Sequence, residues 1–253
     1  MKYLCKIRYV GTDFCGFQVQ PNARTVQGEL SKAAETVFGM PCKVTGCSRT
    51  DSGVHANCFY ITVEPQKGAS VPPERLGRAM ATHLPSDVAI MSAQTVSEDF
   101  HPRYSASGKE YVYVIDNHDV HDPFLVHRAW HVARPITAEQ MRRMEEAAKG
   151  LVGRHDFTSF MAKGSSVTDT VRTVKDIHFQ IENGKISIYI SADGFLYNMV
   201  RIIVGTLTEV AFGLRAPDCM AEILAAKDRS TAGMTAPPDG LYLNRVFYPD
   251  VAD

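Results

Sequence analysis

The feature that most constrains the fold of this chain is an order of strand-type and helix-type segments that occurs twice. Alternating apolar residues predict four strands in the first half, at 2–10, 42–47, 58–64 and 87–96. Two helices are predicted between them, one starting after the capping residue Thr25 and one over about 73–83. The apolar face of the first helix is formed by Val26, Leu30, Ala33, Ala34 and Val37.

The second half follows the same order with insertions. Its predicted strands are 110–116, 171–182, 185–192 and 242–248, with further extended chain near 129–133. Asn183-Gly184 is the strongest short-range signal for a two-residue hairpin turn. The predicted helices are one that begins at the capping box Thr137-Ala-Glu-Gln140 and carries Met141, Met144, Ala148 and Leu151 on its buried face, and two at about 195–212 and 217–226.

Two βαββαβ units therefore describe the whole chain. Such ferredoxin-like units, with four strands each, can join edge to edge, which predicts an α+β fold. We expect one central, mainly antiparallel sheet of eight strands with helices on one face. The expected units are 1–104 and 105–253.

Composition excludes several classes of protein. Hydrophobic residues make up 45% of the 253 residues and charged residues 22%, which is typical of a globular protein rather than a disordered or fibrous one. Apolar runs are far shorter than the ~20 residues of a membrane span, and residues 1–10 lack a secretory apolar region. We therefore expect a cytoplasmic protein. A net charge of −1 gives no overall attraction to nucleic acid, so any site for a polyanion must come from local clustering.

Cysteines and histidines do not predict a metal centre. The six cysteines include no Cys-x-x-Cys pair, and without an export signal we expect them to be reduced. His127 and His131 have a spacing that suits metal ligands on a helix, but their segment has no helical character.

The segment Cys47-Ser-Arg-Thr-Asp-Ser-Gly-Val-His55 carries the most information about function. It joins two predicted hairpin strands, where loops usually have about 2–5 residues, and it places Arg49, Asp51 and His55 around Gly53. A guanidinium near Asp51 favours an ionised carboxylate, as a nucleophile or a base requires. From the residues alone, an Asx-type turn beside a solvated arginine explains the same pattern.

Arg49-Thr-Asp-Ser-Gly-Val-His55 resembles the catalytic motif of the tRNA pseudouridine synthase A family. Eight further segments resemble blocks of that family in the same order: 9–18, 20–27, 100–106, 111–113, 155–160, 171–173, 194–201 and 235–243. The resemblance implies two such α+β units, a homodimer, and no cofactor or metal. It also implies isomerisation of uridine to pseudouridine at positions 38, 39 and 40 in the anticodon stem-loop of tRNA.

The resemblance assigns Asp51 as the catalytic carboxylate and Tyr111 as the residue that stacks on the target base. Without it, strand packing is the better explanation of Tyr111, because Tyr111 and Tyr113 lie on one face of a strand. Arg201 falls on the polar face of its predicted helix. It is either a solvated arginine or a catalytic partner that pairs with Asp51, with Gly205 one turn on leaving room for close approach.

Substrate contacts are predicted from residue type. Arginine forks and lysine charges suit phosphates, so the candidates for phosphate or base contacts are Arg49, Arg24, Gln18 and Lys109. Phe14 and Phe17 fit either the core or base stacking, and we expect His155 and His178 to serve packing or loop hydrogen bonds. Two alternative functions are a non-catalytic RNA-binding or tRNA-folding protein and a glycosidase, although the motif contains no second carboxylate for the latter.

Overall fold

A computed structural model of the chain describes residues 1–66, 69–132, 134–165 and 167–249. The chain folds into two compact units. The first comprises Met1–Ser107 and Tyr242–Asp253, and the second comprises Gly108–Leu241.

The first unit has the predicted order of elements. They are β1 (Lys2–Tyr9), α1 (Val26–Phe38), β2 (Cys42–Gly46), β3 (His55–Pro65), α2 (Pro73–Ala81) and β4 (Val88–Val96). β1 pairs antiparallel with both β3 and β4, and β2 pairs antiparallel with β3. The helices α1 and α2 pack against each other and against strands of this sheet.

Local sequence explains both ends of α1. The Thr25 hydroxyl accepts a hydrogen bond from the Gly28 amide, and Gly39 ends the helix with a positive φ of 65°. The predicted face is confirmed except at its last position, where Phe38 is buried and Val37 is half-buried. The Phe38 ring packs against Tyr3, with the two ring centroids 5.7 Å apart.

The second unit has more strands than its sequence pattern predicts. Its elements are β5 (Gly108–Asp116), β6 (Trp130–His131), α3 (Ala138–Lys149), β7 (Gly153–Asp156), β8 (Val171–Glu182), β9 (Lys185–Ala192), α4 (Met199–Ala211) and α5 (Cys219–Ala226). The antiparallel order is β5-β9-β8-β7, and the short β6 pairs parallel with β5. β6 falls in the predicted extended segment 129–133, of which residue 133 lies outside the described residues.

The hairpin between β8 and β9 is confirmed. Asn183 and Gly184 both have positive φ, 48° and 70°, as a two-residue turn of this kind requires. β9 buries every second residue, namely Ile186, Ile188, Ile190 and Ala192, so one face of its sheet supplies the core of the unit. Helices α3 and α4 pack on β8 and β5.

The last strand pairs with a strand from the first half of the chain. β10 (Leu241–Phe247) closes the second βαββαβ order in the sequence, yet Tyr242 and Leu243 pair parallel with His55 and Ala56 of β3. The α+β class with mainly antiparallel pairing is confirmed, with ten strands among the described residues rather than eight. None of the described helices combines the length and apolarity that a bilayer crossing requires.

Candidate active site

Asp51 lies in the loop that connects β2 to β3 in the first unit. The Asp51 carbonyl accepts a hydrogen bond from the Val54 amide at 3.2 Å, and Gly53 between them has a φ of 80°. This tight turn leaves the Asp51 side chain half-buried. The loop thus presents a carboxylate on a backbone that is fixed on both sides.

A second loop, residues 11–17, holds the Asp51 loop by its main chain. The Phe17 amide donates to the Thr50 carbonyl at 3.1 Å, and the Gly53 amide donates to the Phe14 carbonyl at 3.3 Å. The Ser52 hydroxyl donates to the same Phe14 carbonyl at 3.2 Å. Because these bonds bracket Asp51, they determine where its carboxylate can lie.

Two glycines allow the loops to approach this closely. A Cβ atom on Gly11 would lie 2.0 Å from the Val54 carbonyl oxygen, and one on Gly16 would lie 2.7 Å from that of Thr50. Gly16 also has a φ of 87°, which other residues rarely adopt. The 11–17 loop lies over 30 residues before the Asp51 loop in the chain, and its glycines are explained by this close contact in the fold.

His55 and Tyr9 complete the support. His55 is fully buried, and its Nδ1 accepts a hydrogen bond from the Gly11 amide at 3.0 Å, so that nitrogen carries no proton. Its ring stacks on Tyr242 at a centroid distance of 4.6 Å. The hydroxyls of Tyr9 and Thr50 lie 2.7 Å apart. The histidine of the motif therefore anchors the loop.

The polar candidates of this unit differ in what they contact. Arg24 forms a two-pronged ion pair with Asp87, at 2.9 and 3.0 Å, which raises the pKa of the guanidinium. Its guanidinium also lies 4.1 Å above the Phe14 ring. Arg49 and Gln18 are exposed, and Arg49 forms no ion pair with any residue that the structure describes.

The two phenylalanines with open assignments belong to the core. Phe14 is 1% exposed and Phe17 is 3% exposed, so both rings lie in the core of the unit. Phe17 stacks on Phe59 with centroids 4.4 Å apart. Both rings therefore anchor the 11–17 loop to the core.

Tyr111 and Lys109 lie on β5 in the second unit. They are two residues apart, so they share one face of the strand, and they pair with Ile190 and Ala192 of β9. The Tyr111 ring is 7% exposed and meets the Phe195 ring edge to face at 4.9 Å. Lys109 is half-buried.

Arg201 lies in the first turn of α4, where two acceptors bind it. Its Nε donates to the Ala236 carbonyl at 2.7 Å, and one terminal nitrogen donates to the Asn198 side-chain oxygen at 2.9 Å. Gly205 makes room for a different group than expected. A Cβ atom there would lie 1.9 Å from the Met234 carbonyl oxygen, so the close approach is made by the 233–237 backbone.

Sequence reasoning missed a polar network around Asp156. The carboxylate accepts hydrogen bonds from the Thr158 and Thr170 hydroxyls, both at 2.7 Å, and pairs with Lys227 at 3.0 Å. These donors lower the pKa of Asp156. The resemblance of 155–160 to a family block was the only signal, and the network shows that this block fastens the loop after β7.

The expected histidine roles are confirmed. His155 bonds the Val152 carbonyl at 3.1 Å, and His178 pairs with Asp176 and stacks on Tyr189 at 4.7 Å. Within residues 1–66, 69–132, 134–165 and 167–249, no three His, Cys, Asp or Glu side chains converge as metal ligands.

The two units supply complementary chemical groups. The first offers a carboxylate on a fixed loop beside an exposed arginine, and the second offers an aromatic ring on a strand and an oriented guanidinium at a helix start. A carboxylate of this kind can act as a nucleophile or a base, while the ring can stack on a base and the cations can contact phosphates.

Comparisons with known proteins show what this chain resembles in sequence. The family described as tRNA pseudouridine synthase matches residues 6–105 and 147–249. A tRNA pseudouridine synthase A from Thermoanaerobacter sp. (strain X514) is 44% identical over 242 residues, which cover 96% of this chain and 97% of that protein. A tRNA pseudouridine synthase A 2 from Clostridium perfringens is 40% identical over 96% of this chain and 97% of its own length.

A further relative is the tRNA pseudouridine synthase A of Halalkalibacterium halodurans, at 44% identity over 95% of this chain and 90% of that protein. Among solved structures, a chain of a Cbf5-Nop10-Gar1 complex superposes with a TM-score of 0.37 at 12% identity, over 96% of this chain and 59% of that chain. The matches in sequence extend over nearly the whole chain and include both the Asp51 loop and Arg201. The chain therefore belongs to the tRNA pseudouridine synthase family.

Proposed function

We propose that this chain converts uridine to pseudouridine at positions 38, 39 and 40 in the anticodon stem-loop of tRNA, with Asp51 as the catalytic carboxylate. The observation that carries the proposal is the pair of loops that fixes Asp51, since a family member that had lost its activity would not need them. A tRNA substrate also places the reaction in the cytoplasm.

The reaction explains which groups are needed. The N1–C1′ bond of uridine breaks, the uracil turns, and C5 bonds to C1′, after which the proton on C5 is lost and N1 gains a proton. Atoms are conserved, so no water or cofactor is consumed. A carboxylate suits attack on the sugar, attack on the base, or removal of a sugar proton, and Asp51 provides one beside the exposed Arg49.

Tyr111 stacks on the target base in this proposal, and its edge contact with Phe195 supports the ring from the side. Arg201 is the second catalytic residue of the proposal, because its guanidinium supplies a cation that can stabilise negative charge. Arg49, Gln18 and Lys109 contact the phosphates or bases of the stem-loop. Arg24 acts through the loop that it fastens to Asp87, because both its terminal nitrogens are already bonded.

A homodimer is part of the same proposal. The segment after β5 exposes three apolar side chains within seven residues, and one of them, Phe124, is 90% exposed. Val120 and Val126 flank it at 74% and 49% exposure. Exposed apolar patches on globular proteins are typical of protein–protein contacts. Sedimentation of the wild-type chain and of Phe124→Asp tests this, since the variant should be the lighter species.

The alternative function is RNA binding or tRNA folding without catalysis. Phosphates repel carboxylates, so RNA binding alone does not require Asp51 in a half-buried, fixed position. The exposed Arg49 fits either function and does not distinguish them.

Three anticodon stem-loop transcripts, each with a single uridine at position 38, 39 or 40, test the proposal. Purified protein is added, the RNA is treated with carbodiimide, and primer extension maps the adducts that mark pseudouridine. We expect one stop on each transcript and none on a transcript that lacks uridine at all three positions. Tight binding with no adduct on any transcript would favour the RNA-binding alternative.

A further inference from the structure

Arg201 is held by groups from two different parts of the second unit. Its Nε donates to the Ala236 carbonyl, and its own carbonyl accepts from the Ala236 amide at 3.1 Å. The Asn198 side chain accepts from one terminal nitrogen at 2.9 Å. Among the described residues no partner is found for the other terminal nitrogen, so the guanidinium is fixed at two points and keeps one group for a further contact.

The Ala236 contact is the last of a series along α4. The Met234 amide donates to the Glu209 carboxylate at 2.8 Å, and the Gly233 amide donates to the Thr206 hydroxyl at 2.9 Å. Beyond Ala236, the Pro237 carbonyl accepts from the buried Tyr113 hydroxyl at 2.7 Å. The 233–237 segment is therefore held by hydrogen bonds along its length, and the Ala236 carbonyl is a fixed acceptor.

Asn198 has an unusual backbone conformation for a residue at a helix start. It has a φ of 59°, a conformation that Asn tolerates better than most side chains, and it makes no hydrogen bond that caps the helix. An asparagine at a helix start ordinarily caps the free amides. Here its oxygen is turned to Arg201 three residues on.

We propose that Asn198 is a positioning residue for Arg201, and that it sets the plane of the guanidinium against the fixed Ala236 carbonyl. The proposal rests on the proposed function insofar as the aligned guanidinium is needed for turnover. One acceptor alone leaves a planar guanidinium free to swing about that bond, whereas two acceptors on different nitrogens define its orientation.

Two variants separate the side chain from the backbone. Asn198→Gly keeps the positive φ without strain and removes the acceptor, whereas Asn198→Asp keeps an acceptor and tolerates the same φ. We expect Asn198→Gly to lower kcat roughly ten- to hundredfold, as small misplacements of catalytic groups do, with KM for tRNA nearly unchanged. Asn198→Asp should stay within about threefold of the wild-type kcat.

Asn183→Gly is the matched control. Asn183 also has a positive φ, 48°, but it lies in the turn before β9, whereas Asn198 follows the other end of that strand. It should keep the wild-type kcat. A wild-type kcat in Asn198→Gly would overturn the proposal. Equal losses in both Asn198 variants would also overturn it, because they would show that an acceptor at this position does not preserve activity.

A second measurement keeps the proposal testable independently of activity. Proton exchange at the Arg201 Nε–H is followed by NMR, with the signal assigned by its loss in Arg201→Lys. We expect exchange roughly tenfold faster in Asn198→Gly than in the wild type or Asn198→Asp. Unchanged exchange in Asn198→Gly would overturn the proposal. An inactive wild-type protein with the expected exchange would instead reject the proposed function and leave the positioning role supported.

Discussion

Asp51 in the first unit and Arg201 in the second are fixed by different kinds of contact. Asp51 is held through its backbone, because main-chain bonds to the 11–17 loop bracket it and two glycines permit the approach. Arg201 is held through its side chain, which two acceptors bind directly. The position of the Asp51 carboxylate therefore depends on the small size of neighbouring residues. The orientation of the Arg201 guanidinium depends instead on neighbouring acceptor atoms.

Gly11→Ala should break the first arrangement most severely. The new Cβ would lie 2.0 Å from the Val54 carbonyl, so the two loops must separate. We expect turnover to fall roughly 100-fold or more and stability to fall by about 3 kcal/mol, at the upper end of overpacking costs. Single-turnover rates and thermal melting measure both.

Gly77→Ala in α2 is the control for that change. Its Cβ would meet Ile90 at 3.5 Å, an ordinary van der Waals contact. The free energy of unfolding should therefore rise by about 0.5–1 kcal/mol, because Ala favours the helix over Gly. Wild-type turnover in Gly11→Ala would contradict the view that contact between the loops sets the position of Asp51.

Tyr111 variants test the aromatic part of the second unit. Tyr111→Ala should lose turnover by roughly 10- to 100-fold, which corresponds to the 1–3 kcal/mol that base stacking contributes, whereas Tyr111→Phe keeps the ring and most of the rate. If the hydroxyl moves the C5 proton, Phe should be as inactive as Ala while still binding RNA.

Because Tyr111 is buried, melting temperatures must accompany these rates. An Ala variant that recovers full activity at low temperature would identify Tyr111 as a packing residue. A stable and fully active Ala variant would exclude the stacking role.

Arg49 and Arg24 sharpen the comparison within the first unit. tRNA affinity should weaken steeply with salt although the net charge is −1, because phosphate contacts release counterions. Arg49→Gln should reduce the slope of log affinity against log salt by about 1. Arg24→Gln should reduce it less, since that guanidinium already binds Asp87.

Fluorescence anisotropy with a labelled stem-loop at several salt concentrations gives both slopes. A flat salt response of the wild-type protein would argue against a surface that contacts phosphates. Equal slopes in the two variants would show that Arg24 leaves Asp87 to bind RNA.

Asp156 provides the smallest effect, a pH dependence confined to the second unit. Its pKa is lowered in the folded state by the two threonine hydroxyls and Lys227, so the carboxylate stabilises the fold above its unfolded pKa of about 4. That contribution is lost as the pH falls through the depressed folded pKa. Asp156→Asn should melt lower at pH 7 and show less further loss on acidification than the wild type.

Asp218→Asn, an exposed aspartate without a capping bond, is the control and should keep the wild-type pH profile of melting. An unchanged profile in Asp156→Asn would remove the network from the account of acid stability.

The sequence predicted most elements because their patterns are local. Thr25 with its apolar stripe, the Thr137 capping box and Asn183-Gly184 each act within a few residues, and each is confirmed. The helix predicted from about 195 begins at Met199 instead, because Asn198 before it has a positive φ that interrupts a right-handed helix.

Features that depend on distant chain could not be predicted in this way. β7 has the polar sequence Gly-Arg-His-Asp and becomes a strand only because β8 pairs with it. The role of Gly205 required knowledge that Met234, 29 residues later, lies against it. Asp51 was identified by its motif, whereas its support by the 11–17 loop is a property of the fold.

The most direct test of Asp51 as the catalytic carboxylate is single-turnover kinetics of Asp51→Asn with tRNA affinity measured on the same samples. Asp99→Asn, an exposed aspartate of the same unit, is the matched control. We expect no detectable pseudouridine from Asp51→Asn at near wild-type affinity, because the amide keeps the shape but lacks the charge and nucleophilicity. Asp99→Asn should keep full activity. Turnover near the wild-type rate in Asp51→Asn would contradict a catalytic role for Asp51.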